Sequence, residues 1–190
     1  MPELKLNQKQ KETLLDIARK TIEAVIKNIK VPVFNVSDPA LLKKCGAFVT
    51  IHKKGSLRGC IGNIIGIMPL WETVRKMAAE AAVHDPRFMP VSPDEFADID
   101  IEVSVLSPFE KITDINKIEV GKHGLFIKQG FYQGLLLPQV AIEYNWSREE
   151  FIEHTCSKAG LRSGCYKDKN SEIFIFTADV FGEKKTSQDK

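Results

Sequence analysis

The stretch GAFVTIHKKGSLRGCIG, residues 46 to 62, decides the fold. Ala47 to His52 is a β-rich run, Lys54-Gly55 supplies a turn, and the chain returns through Leu57 to Cys60. That pattern predicts a hairpin. The returning arm raises a question of its own. Gly59, Gly62 and Gly66 crowd one cysteine, with Arg58 two places before it. Glycine frees the backbone and bares its N–H groups. The expectation is a sharp turn that presents Cys60 and Arg58.

Working outward, NQKQKETLLDIARKTIEAVIKNIK places Leu14, Ile17, Ala18, Ile22, Val25 and Ile29 at helical spacing, with Asn7 as N-cap. VPVFNVSDP reads as an extended linker. Pro69 opens a second helix whose stripe is Leu70, Val74, Met77, Ala78, Ala81 and Ala82, small enough for close packing. DIDIEVSVLSP is a strand, with Ile99, Ile101, Val103 and Val105 on one face and Asp100, Glu102 and Ser104 on the other. A second hairpin is expected around Gln129-Gly130. Ser147 and Glu150 form a capping box, Gly160 stops that helix, and SEIFIFTADVF is a last strand before a polar tail. Strands that arrive as hairpins favour an α+β fold of mostly antiparallel sheet with flanking helices.

Bulk properties narrow the class. The 190 residues fit one domain, residues 1–190, able to bury a core without a metal or disulfide. Lys plus Arg number 27 against 25 Asp plus Glu, which gives no case for a dedicated nucleic-acid binder unless a local basic face exists. The N-terminus is charged and no apolar run approaches the ~20 residues of a membrane span. Four cysteines, at 45, 60, 156 and 165, lack a C-x-x-C pair, and a cytoplasmic protein with free thiols is expected, with a buried Cys156–Cys165 disulfide as the lesser alternative. No H-x-x-x-H spacing occurs and no metal site is expected; the residues name no cofactor.

Cys60 between glycines is a candidate nucleophile, redox thiol or soft ligand, or else a small buried hydrophobe. Cys45, Cys156 and Cys165 read as structural. HDPRFMPVS, residues 84 to 92, offers Asp85 and Arg87 either for acid–base work and anion holding or as a local salt bridge. His84 reads as a helix C-terminal residue. Glu102 and Ser104 on a polar strand face, His123 between two glycines, and Gln139 after Pro138, where the apolar run is expected to end in a loop, complete the candidates. Trp71 and Trp146 read as core residues at helix starts.

GAFVTIHKKGSLRGCIG, HDPRFMPVSPDEF, DIEVSVLS, GKHGLFI, LLLPQVAIEYNW and CSKAGL occur in this order in the AMMECR-type domain family, whose microbial members are also called AmmeMemoRadiSam system protein A. The chain resembles that family over about residues 8–183. The family's signature LRGCIG falls on residues 57 to 62, including Arg58, Gly59, Cys60 and Gly62. The resemblance implies two lobes forming a cleft. It also implies the company of a Memo-type protein and a radical S-adenosylmethionine enzyme, but no reaction. Three functions compete. One is an enzyme or enzyme component in which Cys60 reacts, Arg58 and Arg87 orient an anionic substrate, and Asp85, Glu102 or His123 moves protons. Another is a non-catalytic binding or adaptor module for a nucleotide, RNA or a partner protein. The third is a scaffold that holds the radical enzyme and its partner together.

Overall fold

A computed structural model describes residues 5–183, and the chain falls into two compact units. The polar tail from residue 184 lies outside the described residues.

The first unit comprises residues 5–106 and 179–183. It holds α1 (Gln8–Ile26), β1 (Ala47–Lys53), β2 (Ser56–Asn63), α2 (Leu70–Val83) and β3 (Ile99–Leu106). Asn7 caps α1 in a reciprocal capping box with Gln10, as its sequence predicts. The expected hairpin forms, with Lys54 and Gly55 both at positive φ (52° and 83°) in the two-residue turn. β1 pairs with β2 on one side and β3 on the other, both antiparallel, and a strand at Ala178–Gly182 completes the order β2-β1-β3-β8 once β4 to β7 are counted. Side chains alternate across this sheet. Val49, Ile51, Ile101, Val103 and Val105 are buried on the face that packs with Leu14, Ala18, Ile22, Val74, Met77 and Ala78 of the two helices. Each of the valine, leucine, isoleucine and methionine side chains so removed from water contributes about 1.5–3 kcal/mol, the alanines less.

The second unit, residues 107–178, carries β4 (Glu110–Ile112), β5 (Gly124–Gln129), β6 (Tyr132–Leu136), α3 (Pro138–Glu143), α4 (Arg148–Lys158) and β7 (Glu172–Phe176). Its antiparallel sheet has the order β4-β7-β5-β6, and its core joins Leu125, Ile127, Phe151, Ile152, Ile173 and Ile175. The Ser147/Glu150 capping box forms, and Gly160, at φ 73°, follows the end of α4.

Four expectations are corrected. SEIFIFTADVF is two strands, not one: it breaks at Thr177, and its halves join different sheets. Pro138 starts a short helix, because a proline lacks only an N–H that a first helical turn leaves unpaired. Cys156 and Cys165, read as free, form a disulfide within the second core. The glycines of LRGCIG make no sharp turn. β2 runs as a strand through residues 56–63, and none of Gly59, Gly62 and Gly66 takes a positive φ.

Candidate functional site

What the glycines provide is closeness. A Cβ on Gly59 would stand 2.3 Å from the carbonyl oxygen of Ala81 in α2, and one on Gly62 would meet the Phe48 ring at 2.2 Å. The alanine stripe of α2 and the bare backbone of β2 are thus two halves of one contact, which brings the end of α2 and the loop after it beside Cys60.

β2 is an edge strand, and an edge strand has outward N–H and C=O groups that need partners. At Cys60 the Asp85–Arg87 pair supplies both. Asp85 Oδ2 accepts from the Cys60 N–H at 2.8 Å, and Arg87 Nη2 donates to the Cys60 carbonyl at 3.1 Å. The two side chains are locked together. Asp85 accepts from Arg87 Nη2 at 2.7 Å, from Nε at 2.9 Å and from its backbone N–H at 3.1 Å. Asp85 is buried, while the Arg87 side chain is 53% exposed. The Arg87 guanidinium holds the Asp85 carboxyl well below the usual carboxylate range against an opposing effect of burial, and the Cys60 N–H adds to the lowering. Asp85 in turn raises the Arg87 pKa, with smaller contributions from Cys60.

Arg58 makes a second clamp. Its Nε and Nη2 form a two-pronged pair with the Glu95 carboxylate at 3.0 and 2.8 Å. Nη1 donates to the Met89 carbonyl at 2.9 Å and Nη2 to that of Pro90 at 3.2 Å. Lys53 reaches the same Glu95 at 2.9 Å. Glu95 also closes a capping box with Ser92 at the 3₁₀ turn Pro93–Asp98, and Arg58, Ser92 and Lys53, in that order, hold its pKa far down. Arg58 therefore fastens the 89–95 loop to the hairpin. Glu95 was not among the sequence candidates, although Ser92-Pro-Asp-Glu95 has the S-x-x-E spacing of a helix start.

The thiol lies on the sheet face opposite the helices. Cys60 stands opposite Thr50, which stands opposite Glu102, so three side chains form a row across β2, β1 and β3. The Thr50 hydroxyl donates to Cys60 Sγ at 3.3 Å. Cys60 is half-buried and so is Glu102, which has its own interaction. Beside this row lie His52 and Asp100, and on the other side Phe48 and Ser104. Ser104 is 1% exposed, and its Oγ has no hydrogen-bond partner. A buried unsatisfied hydroxyl costs stability and calls for a reason. Thr50 and His52 escaped the sequence reading because only strand register puts them on the cysteine's face.

Arg58, Gly59, Cys60, Gly62, Asp85, Arg87 and Glu102 are brought together in the first unit. His123 and Gln139 belong to the second. His123 is 9% exposed, and its Nδ1 accepts the Glu119 N–H at 3.1 Å, so it serves that turn as a neutral imidazole. Burial lowers its pKa despite the nearby Glu119. Gln139 is half-buried in the first turn of α3. His84 is exposed and pairs with Glu80 at 3.0 Å. Trp71 and Trp146 are half-buried at the margins of the two cores, with Trp146 stacked on His154. Cys45 is the other free cysteine among the described residues, and burial pushes its pKa up. Among the described residues no group of three or more His, Cys, Asp or Glu could hold a metal ion, and no helix is long and apolar enough to cross a membrane.

Two antiparallel four-stranded sheets with flanking helices, one bearing a cysteine clamped at a strand edge, define an α+β domain of a particular kind. The AMMECR1 family profile matches residues 15–181, and the chain belongs to that family. A protein of Thermococcus gammatolerans is 44% identical over 91% of this chain and 90% of its own length. One of Methanothermobacter thermautotrophicus is 42% identical over 94% and 96%. The chain is similar to the crystal structure of uncharacterized protein PH0010 from Pyrococcus horikoshii, with a TM-score of 0.85, 42% identity and 91% of each chain covered. These relatives carry no established function.

Proposed function

We propose that the chain is the thiol-bearing component of an enzyme, with Cys60 as the reactive group. One observation carries this: the Cys60 backbone is fixed on both sides by the Asp85–Arg87 pair while its sulfur accepts a hydrogen bond from Thr50. A nucleophile needs a fixed position and a polar surrounding, and packing alone requires neither. In this reading Arg87, cationic and half-exposed, holds an anionic group of the substrate, and Glu102 handles protons on the thiol's face. Asp85 stays ionised and positions Arg87; Arg58 positions the loop. His123 and Gln139 serve their own unit. The reaction takes place in the cytoplasm beside a Memo-type protein and a radical S-adenosylmethionine enzyme, as the family resemblance implies. A disulfide fits that compartment where the source is a hyperthermophilic archaeon.

A second reading, the non-catalytic binding or adaptor module, is favoured by the commitment of Arg58 and Asp85 to internal partners. The two readings separate in one experiment. Native protein is treated with iodoacetate or neutral iodoacetamide, and modification of Cys60 is followed by peptide mass spectrometry. The enzyme reading expects Cys60 to prefer the anionic reagent relative to a free thiol, and Arg87→Ala to remove that preference. Equal selectivity with and without Arg87 would support the binding module.

A further inference from the structure

The second unit carries a surface that its fold does not need. β5 and β6 join through a two-residue loop, Gly130-Phe131, with Gln129 opposite Tyr132 and Gly130 at φ 59°. Phe131 at this tip is 104% exposed, and Tyr132 is 60% exposed. A phenylalanine that touches nothing adds nothing to folding, and a hairpin turn has no use for its ring. Two neighbouring rings left in water suit recognition instead.

The charges around these rings are mostly positive. The Tyr132 ring lies over Gly160, its Cδ1 3.7 Å from where a Cβ would stand. Lys158 and Arg162 flank Gly160, and both are exposed. The Gln129 amide donates to Asp168 at 3.0 Å, and Lys167 and Lys169 flank Asp168. Lys128 precedes Gln129 on the exposed side of β5, opposite Glu172 of β7, whose carboxylate Lys111 also engages. Residues 157–170 contain three lysines and one arginine against a single aspartate. That aspartate is engaged by Gln129 and lies 3.9 Å from Arg162. Glu153 is likewise committed, accepting the Gly164 N–H with both oxygens. The segment is also held in place: the Cys156–Cys165 disulfide, both cysteines 1% exposed, ties it to α4. A near-neutral chain therefore carries a local, pre-shaped basic surface with two exposed aromatics.

From this placement we infer that the β5–β6 tip binds single-stranded nucleic acid. Phe131 and Tyr132 are the stacking platforms, and Lys128, Lys158, Arg162, Lys167 and Lys169 contact phosphates. Charge complementarity calls for a polyanion, and exposed rings call for one whose planar bases are unstacked. A duplex offers the phosphates but hides the base faces. The inference stands apart from the Cys60 reading, since none of its residues belongs to the first unit.

The test is fluorescence anisotropy of the full chain with a labelled oligouridylate of about 12 nucleotides, a length within the usual site sizes. Between about 50 and 200 mM salt, the logarithm of the binding constant should fall with a slope near −3.5 for five phosphate contacts on a single strand. Phe131→Ala and Tyr132→Ala should each weaken binding by about fivefold or more. Lys167→Glu with Lys169→Glu should weaken it further and flatten the slope by more than about 1. All four positions are exposed, so unchanged melting temperatures confirm that the variants fold. Absence of binding at the lowest salt overturns the inference. So does binding that survives these substitutions, tighter binding of a blunt duplex, or retention on phosphatidylserine vesicles without affinity for the oligonucleotide.

Discussion

Asp85 takes the backbone N–H of Cys60 at 2.8 Å from 25 residues away in the chain. Its partner Arg87 takes the carbonyl of the same residue, so the pair occupies the edge of β2 as another strand would. The arrangement protects the edge and fixes the cysteine at once. It joins the stretches around Cys60 and Asp85 in a single device.

Asp85→Ala should destabilise the protein strongly. It leaves a Cys60 N–H without its acceptor and an arginine without its counter-ion, at a cost of about 2–4 kcal/mol. For a chain of this length that lowers the melting temperature by roughly 5–15 °C. Asp85→Asn should recover only part of the loss, because its amide can accept from Cys60 but turns an NH₂ toward Arg87. Thermal unfolding of the two variants checks the order.

Stability should fall with pH in two stages. The ordinary pKa of His123 is 6.5 and burial lowers it in the folded chain, so the unfolded chain binds the proton first. Its contribution is present above pH 6.5 and is lost as the pH falls through and below that value. Asp85 and Glu95 are depressed below ordinary values of 3.8 and 4.5 by Arg87 and Arg58. Their contribution is complete above about pH 5 and drains away as the pH falls through those values. Urea unfolding across this range should show both declines. His123→Asn should remove the first, and Glu95→Gln should lower stability above about pH 5, with the loss shrinking as the pH falls, so that the second becomes less steep.

Gly59→Ala should cost more than its single methyl suggests. The new Cβ meets backbone, the Ala81 carbonyl at 2.3 Å, which cannot swing aside as a side chain can. The expected loss is at least ~2 kcal/mol. At Gly55, where nothing stands within 4 Å but φ is +83°, alanine should cost only about 1 kcal/mol of backbone strain. Chemical denaturation of the two variants separates crowding from strain.

Much of this architecture is legible from residue order. The stripe from Leu70 to Ala82, the Asn7 and Ser147 caps and the Lys54-Gly55 turn are local signals, and local physics decides them. What escaped depends on distant partners. Nothing within SEIFIFTADVF marks a change of sheet at Thr177, because the apolar run continues across it. Glycine at position 59 is ambiguous until Ala81 is beside it, and Thr50 is an ordinary strand residue until register sets it against Cys60. The disulfide was masked by a compartment argument, which speaks of surroundings and not of the distance between two cysteines. Asp85 and Arg87 were visible as a pair, but their hold on a strand edge was not.

The most direct test of the claim that Cys60 is a held, reactive thiol compares it with Cys45 in one native sample. Both are free, but burial raises the Cys45 pKa, while the Cys60 sulfur meets the Thr50 hydroxyl. With limiting iodoacetamide at neutral pH, Cys60 should be modified well before Cys45, and Thr50→Val should slow it without altering the rate at Cys45. A Cys60 that stays unmodified until denaturant unfolds the chain would contradict the account and leave the thiol as packing.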